Sequence, residues 1–288
     1  MRHCHRLTRL LCLLVLCLPV AHASQWRQGW GLGNAGTAAA TVAEGVRLTL
    51  QQQAGTVAVW AEYDSPGPLQ VRLHGGADAG LPLERELPAP GRYLLTTLPL
   101  GQPQQLRLDA VPGPVRSTAL RPSVALPLDA ATPVRIHQAA HGQASHHDRQ
   151  NRHAWDFALA EGTPVLAAAA GRVIGLHAAS TGPSRIPGDG GNWIRLLHAD
   201  GSMSVYAHLQ PGSLRVALGQ SVRAGQLLAA SGNTGFSTAP HLHFVVQVNA
   251  GMALASIPAQ VNGPYGQLHA AEIHRSEERR VGKECRSR

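Results

Sequence analysis

The sequence predicts an all-β protein built from two units, and three observations carry that expectation. Short runs in which apolar and polar residues alternate recur between Val46 and Val111. The 288 residues include 31 Gly and 20 Pro, a composition that disfavours helical bundles and favours strands joined by turns. No long stretch shows the 3.6-residue period of an amphipathic helix. The chain is 44% hydrophobic and only 15% charged, so it has the apolar content for a core and too little charge for a self-repelling disordered chain.

Taken in order, the chain opens on what reads as an export signal over residues 1–23. Arg2, Arg6 and Arg9 form a positive n-region, and Leu10 to Val20 form an apolar run. That run is too short to span a bilayer, which takes ~20 residues. Ala21-His22-Ala23 places small residues for cleavage before Ser24. The expectation is therefore an exported chain, periplasmic or secreted, with no membrane-spanning segment. Cys4, Cys12 and Cys17 would leave with the signal, and Cys285 alone permits no internal disulfide.

Residues 24–111 read as a small antiparallel β-sandwich-like accessory domain. Val46–Leu50, Val57–Ala61, Leu69–Leu73 and Leu106–Leu108 alternate with period two, and Arg92–Thr96 is a further candidate strand. Ser65-Pro66-Gly67, Gly75-Gly76 and Pro90-Gly91 are the turn signals between them. Residues 112–132 are Pro-rich and aperiodic, as in a linker. Residues 133–265 read as a second antiparallel β-sheet domain, with strands expected at Val165–Val173, Trp193–His198, Met203–His208, Gln220–Ala230 and His243–Val248. Residues 266–288 form a tail. Its last part, 275–288, reads as non-native, because Lys283 is the one lysine in a chain with 24 Arg.

The formal net charge of +8 suggests a nucleic-acid binder only until it is located. Residues 24–274 hold 16 Arg and 14 acidic residues, a net of +2. The body of the chain therefore lacks the basic stripe that nucleic acid requires.

The chemistry concentrates in histidine. His241 and His243 sit in Ala239-Pro-His-Leu-His-Phe, at strand positions i and i+2, and so project from one face. Two imidazoles on one rigid strand suit a metal ion and a proton acceptor side by side. Ser145-His146-His147-Asp148 leads to His153 and Asp156. Asp156 lies inside the apolar run Ala154-Trp155 and Phe157-Ala-Leu159, where a carboxylate is costly unless paired or metal-bound. His208 ends the apolar run Ser204-Val-Tyr-Ala. Imidazole and carboxylate are donors that Zn2+ accepts.

From about His137 to Val248 the chain resembles the LytM/lysostaphin-type zinc metallopeptidases of peptidase family M23. Four stretches carry the resemblance in order. They are Ser145-His146 with Asn151-Arg152 and Ala154-Trp155-Asp156-Phe157; Gly162-Thr163-Pro164-Val165 through Gly171-Arg172-Val173; Gly191-Asn192 through Asp200-Gly201 and Tyr206-Ala207-His208-Leu209; and Gly232-Asn233-Thr234-Gly235 before His241-Leu242-His243-Phe244. The resemblance implies one Zn2+ held by a first-motif histidine, Asp156 and His243, with His208 and His241 off the metal as catalytic groups. The Ser-His phrase favours His146 as the first ligand, with His147 as runner-up. His153 is a third candidate, although it lies three residues before Asp156, where the commoner family form has its histidine four before.

The implied activity is hydrolysis of a peptide bond in peptidoglycan, either in the stem cross-link or in an interpeptide bridge. The alternative is a non-catalytic LytM-like protein that binds the wall or activates an amidase. Ala178–Gly191, rich in Gly, Pro and Ser, reads as a long loop beside the site that helps to set which peptide fits.

Overall fold

The protein is described by a computed structural model over residues 45–75, 80–99, 106–142, 145–264 and 266–268. The expected export signal, the turn residue Gly76 and the 275–288 tail lie outside the described residues. Among the described residues there are strands and turns and no helix, so the all-β expectation holds. No helix among them is long and apolar enough to cross a membrane.

The first unit contains two three-stranded antiparallel sheets. β1 (Val46–Gln53), β2 (Thr56–Tyr63) and β5 (Gly91–Pro99) form one, in the order β1-β2-β5. β3 (Leu69–His74), β4 (Leu83–Leu87) and β6 (Arg107–Pro112) form the other, in the order β4-β3-β6. Val59 and Ala61 of β2 share one apolar cluster with Val71 and Leu73 of β3 and Leu87 of β4. β4 was not among the expected strands, because Leu-Glu-Arg-Glu-Leu carries three charges in five residues. One of those charges belongs to a cross-strand ion pair, and Arg85 donates to Leu94 O of β5. Arg72 lies opposite Glu84 in register and meets its carboxylate at 2.6 Å.

The stretch 112–132 contributes β7 (Ser123–Ala125), which pairs in parallel with β20 (Gln260–Gly263), itself followed by β21 (Gly266–Gln267). Leu126 and Leu128 of the same stretch are buried in the core of the second unit. The two units also meet directly. Val111 packs with Ile174, Met203, Met252 and Leu254. Gln70 Oε1 accepts from Asn249 Nδ2 at 3.0 Å and from the Met252 amide at 2.7 Å. Gly67 has φ +95, and a Cβ there would stand 2.6 Å from Ile174 Cγ2, so only glycine allows this turn to lie against the second unit.

The main sheet of the second unit runs β15-β11-β13-β14-β18-β9-β8, with β19 also on β18. In chain order these are β8 (Arg135–Gln138), β9 (Trp155–Ala158), β11 (Gly171–His177), β13 (Asn192–Leu197), β14 (Met203–Leu209), β15 (Ser221–Val222), β18 (His241–Asn249) and β19 (Leu254–Ser256). Two small pairs flank it: β10 (Pro164–Leu166) with β16 (Leu227–Ala230), and β12 (Pro183–Ser184) with β17 (Gly235–Phe236), the latter parallel. Two expected strands are each divided. Val165–Val173 becomes β10 and β11, and Gln220–Ala230 becomes β15 and β16. The first break has a visible cause: the Ala168 amide leaves the ladder to donate to Tyr206 Oη at 2.8 Å.

One face of the sheet carries the core. Leu242 and Phe244 of β18 lie opposite Phe157 and Trp155 of β9, with Tyr206 of β14 opposite Phe244. All five are buried. Behind them runs a buried polar chain. Tyr206 Oη and Ser204 Oγ are 3.0 Å apart, Ser204 Oγ is 2.8 Å from His198 Nε2, and His198 Nδ1 is 2.8 Å from Ala170 O. A neutral His198 that donates from Nδ1 and accepts at Nε2 uses every proton of this chain once.

Burial lowers the His198 pKa, against weaker opposing contributions from Ala170 O and Asp200. A histidine unfolds to a pKa near ~6.5, so below that pH the unfolded chain takes a proton that the native chain refuses. Stability therefore falls as pH falls through this range. We expect His198→Gln to remove on the order of 1 kcal/mol of the stability lost between pH 7 and pH 5. Urea melts at the two pH values check this, and equal losses in both proteins would refute it.

Candidate metal centre

Strand alternation and pairing bring the first groups together. The face of β18 opposite the core carries His241 and His243. In register, His243 lies opposite Asp156 and His241 opposite Ala158. Trp155 and Phe157, stacked within 3° of parallel, bury the other face of β9 and so fix the direction of the carboxylate between them. His146 comes from the loop between β8 and β9, is fully buried, and its backbone amide donates to Gly142 O at 3.2 Å. Donor atoms of His146, Asp156 and His243 all fall within 4.8 Å of one another.

The proton inventory shows what this cluster lacks. His146 Nδ1 donates to Ala139 O at 2.9 Å, which leaves a lone pair on Nε2. That atom is buried without a hydrogen-bond partner, 3.2 Å from Asp156 Oδ1. Asn151 Nδ2 donates to Asp148 Oδ2 at 3.1 Å, which turns its Oδ1 toward His243 Nε2, from which it accepts at 3.0 Å. His243 Nδ1 then carries a lone pair 2.9 Å from Asp156 Oδ1. In these tautomers three electron-pair donors converge, an arrangement that repels unless a cation, a proton or a metal ion, sits among them. The residues therefore fit a metal ion, and the carbonyl and amide that hold the outer nitrogens are the orienting partners such ligands need.

The charges agree. Burial opposes ionisation of Asp156, but His146 and His243 outweigh it and hold the carboxyl well below its usual range. Burial lowers the His243 pKa, despite the Asp156 carboxylate, and keeps the ring neutral. His146 differs: burial pulls its pKa down, but Asp156, Ala139 O and Asp148 outweigh it and raise the pKa, so the carboxylate draws a positive charge to Nε2, and a metal ion bound there would take the place of that proton.

His208 reaches this face by a local irregularity. Simple alternation would put it with Tyr206 on the core face. Instead the β13–β14 register shifts, with Asn192 opposite Leu209 but Ile194 opposite Tyr206, so β14 carries an extra residue. His208 takes φ +61 at this bulge, a left-handed conformation that costs a non-glycine residue energy and marks functional positions. Its ring centroid comes to 4.6 Å from that of His241 and 6.0 Å from that of His243. His208 Nδ1 donates to Thr234 O at 2.8 Å. Burial, reinforced by His241 and His243, pushes its pKa down to about 3, so the ring is neutral at ordinary pH. Gly191 makes room for Thr234: it has φ +63, and a Cβ there would lie 2.4 Å from the Thr234 carbonyl.

His147 is exposed, and His153 packs edge-on against His141 at 5.0 Å. Neither belongs to the cluster with Asp156 and His243. Two orienting residues carried no assignment in the sequence. Asn151 stands in a matched motif, yet its hold on His243 depends on a contact 92 residues away in the chain. Gln138 Nε2 donates to Ser145 Oγ at 2.7 Å and reaches Asp156 Oδ2 at 3.4 Å. Nothing in its local sequence marks it.

An antiparallel sheet that presents a His–Asp–His donor set beside two further histidines defines a β-sheet protein with a candidate metal centre. The sequence model of Peptidase family M23 matches residues 150–254. Asp156, His208, His241 and His243 lie inside that match, and His146 lies just before it. Among curated relatives, a metalloprotease of Haemophilus influenzae is 34% identical over 117 residues, 41% of this chain and 22% of its own length. Lysostaphin of Staphylococcus simulans is 41% identical over 96 residues, 33% of this chain and 18% of its own length. The DD-carboxypeptidase/endopeptidase Mpg of Neisseria meningitidis is 38% identical over 94 residues, 33% of this chain and 19% of its own length. The chain thus spans about a fifth of the length of these relatives. Among solved structures, the catalytic domain of lysostaphin from Staphylococcus simulans aligns at 34% identity over 41% of this chain and 77% of that one, with a TM-score of 0.29.

Proposed function

We propose that this protein is a zinc-dependent endopeptidase, exported from the cytoplasm, that hydrolyses peptide bonds of bacterial peptidoglycan. The observation that carries the reading is the convergence of donor atoms of His146, Asp156 and His243 within 4.8 Å of one another on one face of a rigid sheet. Three protein ligands suit a catalytic rather than a structural zinc site, since a structural site takes four. The chemistry supplied by a bound Zn2+ is Lewis acidity, which polarises an amide carbonyl and makes water more acidic. The curated relatives support the substrate class, because lysostaphin and the glycyl-glycine endopeptidase ALE-1 of Staphylococcus capitis match this chain at 41% and 39% identity over 96 and 101 residues.

The chain's own residues divide the remaining work. His241 donates from Nδ1 to Ala239 O at 2.8 Å, so Nε2 faces the site with its lone pair. That nitrogen accepts the proton of the attacking water and returns it to the leaving amine, a role worth ~10²–10⁴ in rate. His208, held neutral by burial, is a poor base. It lines the site beside His241 and, with its proton held on Nδ1 by Thr234 O, presents Nε2 as a hydrogen-bond acceptor that orients the attacking water. Asn151 and Gln138 hold His243 and Asp156 in register.

Mass spectrometry of fragments released from defined muropeptides tests this reading. We expect cleavage at bonds between amino acids, loss of cleavage with a chelator, and recovery when Zn2+ is restored. Release of whole stem peptides from glycan, or cleavage that ignores the chelator, would reject it.

A further inference from the structure

The segment that supports both proposed catalytic histidines also builds a groove. Thr234 O anchors His208, and Ser237 Oγ lies 3.2 Å from His241 Nδ1. Between them β17 pairs in parallel with β12, Pro183 opposite Gly235 and Ser184 opposite Phe236. The groove over this pairing has a volume of about 290 Å3 and is lined by Pro183, Ser184, Arg185, Phe236, Ser237 and Thr238. Ligand pockets usually enclose ~300–1,000 Å3, so the space takes one portion of a longer substrate.

Its chemistry is asymmetric. Pro183 and Phe236 give it apolar walls, three residues offer hydroxyls, and Arg185 supplies the one charge in the lining. Arg185 is exposed and belongs to none of the ion pairs found among the described residues. The nearest acid along the loop, Asp189, accepts from the Gly191 amide at 3.0 Å and forms no ion pair with Arg185. A guanidinium without an internal carboxylate, at the mouth of an apolar groove beside the reacting groups, matches a carboxylate brought by the ligand, because Arg binds carboxylates by paired hydrogen bonds.

We propose that Arg185 is a specificity-determining residue that pairs with a free carboxylate of the peptide substrate, while the groove takes the apolar part of the same residue. This rests on the peptidoglycan-peptidase reading. Wall stem peptides carry such carboxylates on acidic side chains and at free C-termini, and either would meet the same guanidinium.

The test is calorimetric titration of uncross-linked stem peptides into the full chain and into Arg185→Ala and Arg185→Lys. Each peptide is prepared as the free acid, as the side-chain amide and as the C-terminal amide. For one of the two amides we expect binding about three- to ten-fold weaker than for the acid, and that amide names the carboxylate recognised. Arg185→Ala should erase the difference, and Arg185→Lys should restore part of it. Equal binding of acid and both amides by the unmodified protein, or a preference that survives Arg185→Ala, would overturn the proposal. Hydrolysis of cross-linked dimers by the same preparations is scored separately. Its absence would count against the peptidase reading, and the binding comparison would still decide the role of Arg185.

Discussion

His243→Ala is expected to lose metal and activity together, whereas His241→Ala keeps the metal and loses activity. The two side chains stand two residues apart on β18 and share a face, so proximity alone does not separate them. Their partners do. His243 Nδ1 meets Asp156 Oδ1 at 2.9 Å, and Asn151 holds its other nitrogen. His241 Nε2 is 4.0 Å from the same oxygen, and its Nδ1 is committed to Ala239 O. Without His243 the donor set falls from three to two, and metal content should drop from about one ion per chain to near zero, since a catalytic zinc needs about three protein ligands. His241→Ala should retain the ion and lower kcat by ~10²–10⁴. Metal analysis, turnover and a melting curve on each variant check this. Full turnover in both, or loss of metal from His241→Ala, would refute the assignment.

The second large effect separates adjacent histidines. His146→Ala should lose the metal, and His147→Ala should keep both metal and turnover. His146 is 0% exposed, with Nδ1 tied to Ala139 O and an orphaned Nε2 aimed at Asp156, while its neighbour faces solvent. An exposed imidazole can be removed at little cost, usually within ~0.5 kcal/mol. A buried ligand leaves Asp156 unbalanced beside an empty space. Zinc content of the two purified variants decides between them, and retention of metal by His146→Ala would remove that residue from the site.

Much of this centre was legible before any coordinates. His241 and His243 could be paired because a strand repeats every two residues, and the choice between faces was settled by the apolar Leu242 and Phe244 between and after them. Asp156 stood out as a carboxylate between Trp155 and Phe157. The strands of the second unit were legible at their centres and less so at their ends. β10 and β11 could not be separated by periodicity, because their break depends on the hydroxyl of Tyr206, 38 residues from Ala168. β4 was missed because its charges hide its pattern: Glu84 meets Arg72 of β3 and Arg85 bonds Leu94 O of β5, contacts that only the fold supplies.

The sequence by itself determined the all-β class, the period-two faces and the chemical types that gather at the centre, because backbone geometry makes alternation a local property. Tertiary structure decided which first-motif histidine turns inward, since the burial of His146 depends on a loop closing over β9. It also decided the facing of His208, since a bulge and one left-handed residue reverse the alternation that its sequence implies. The orientation of each ring nitrogen was decided the same way, by carbonyls and amides that arrive from distant positions and leave only the inner lone pairs to converge.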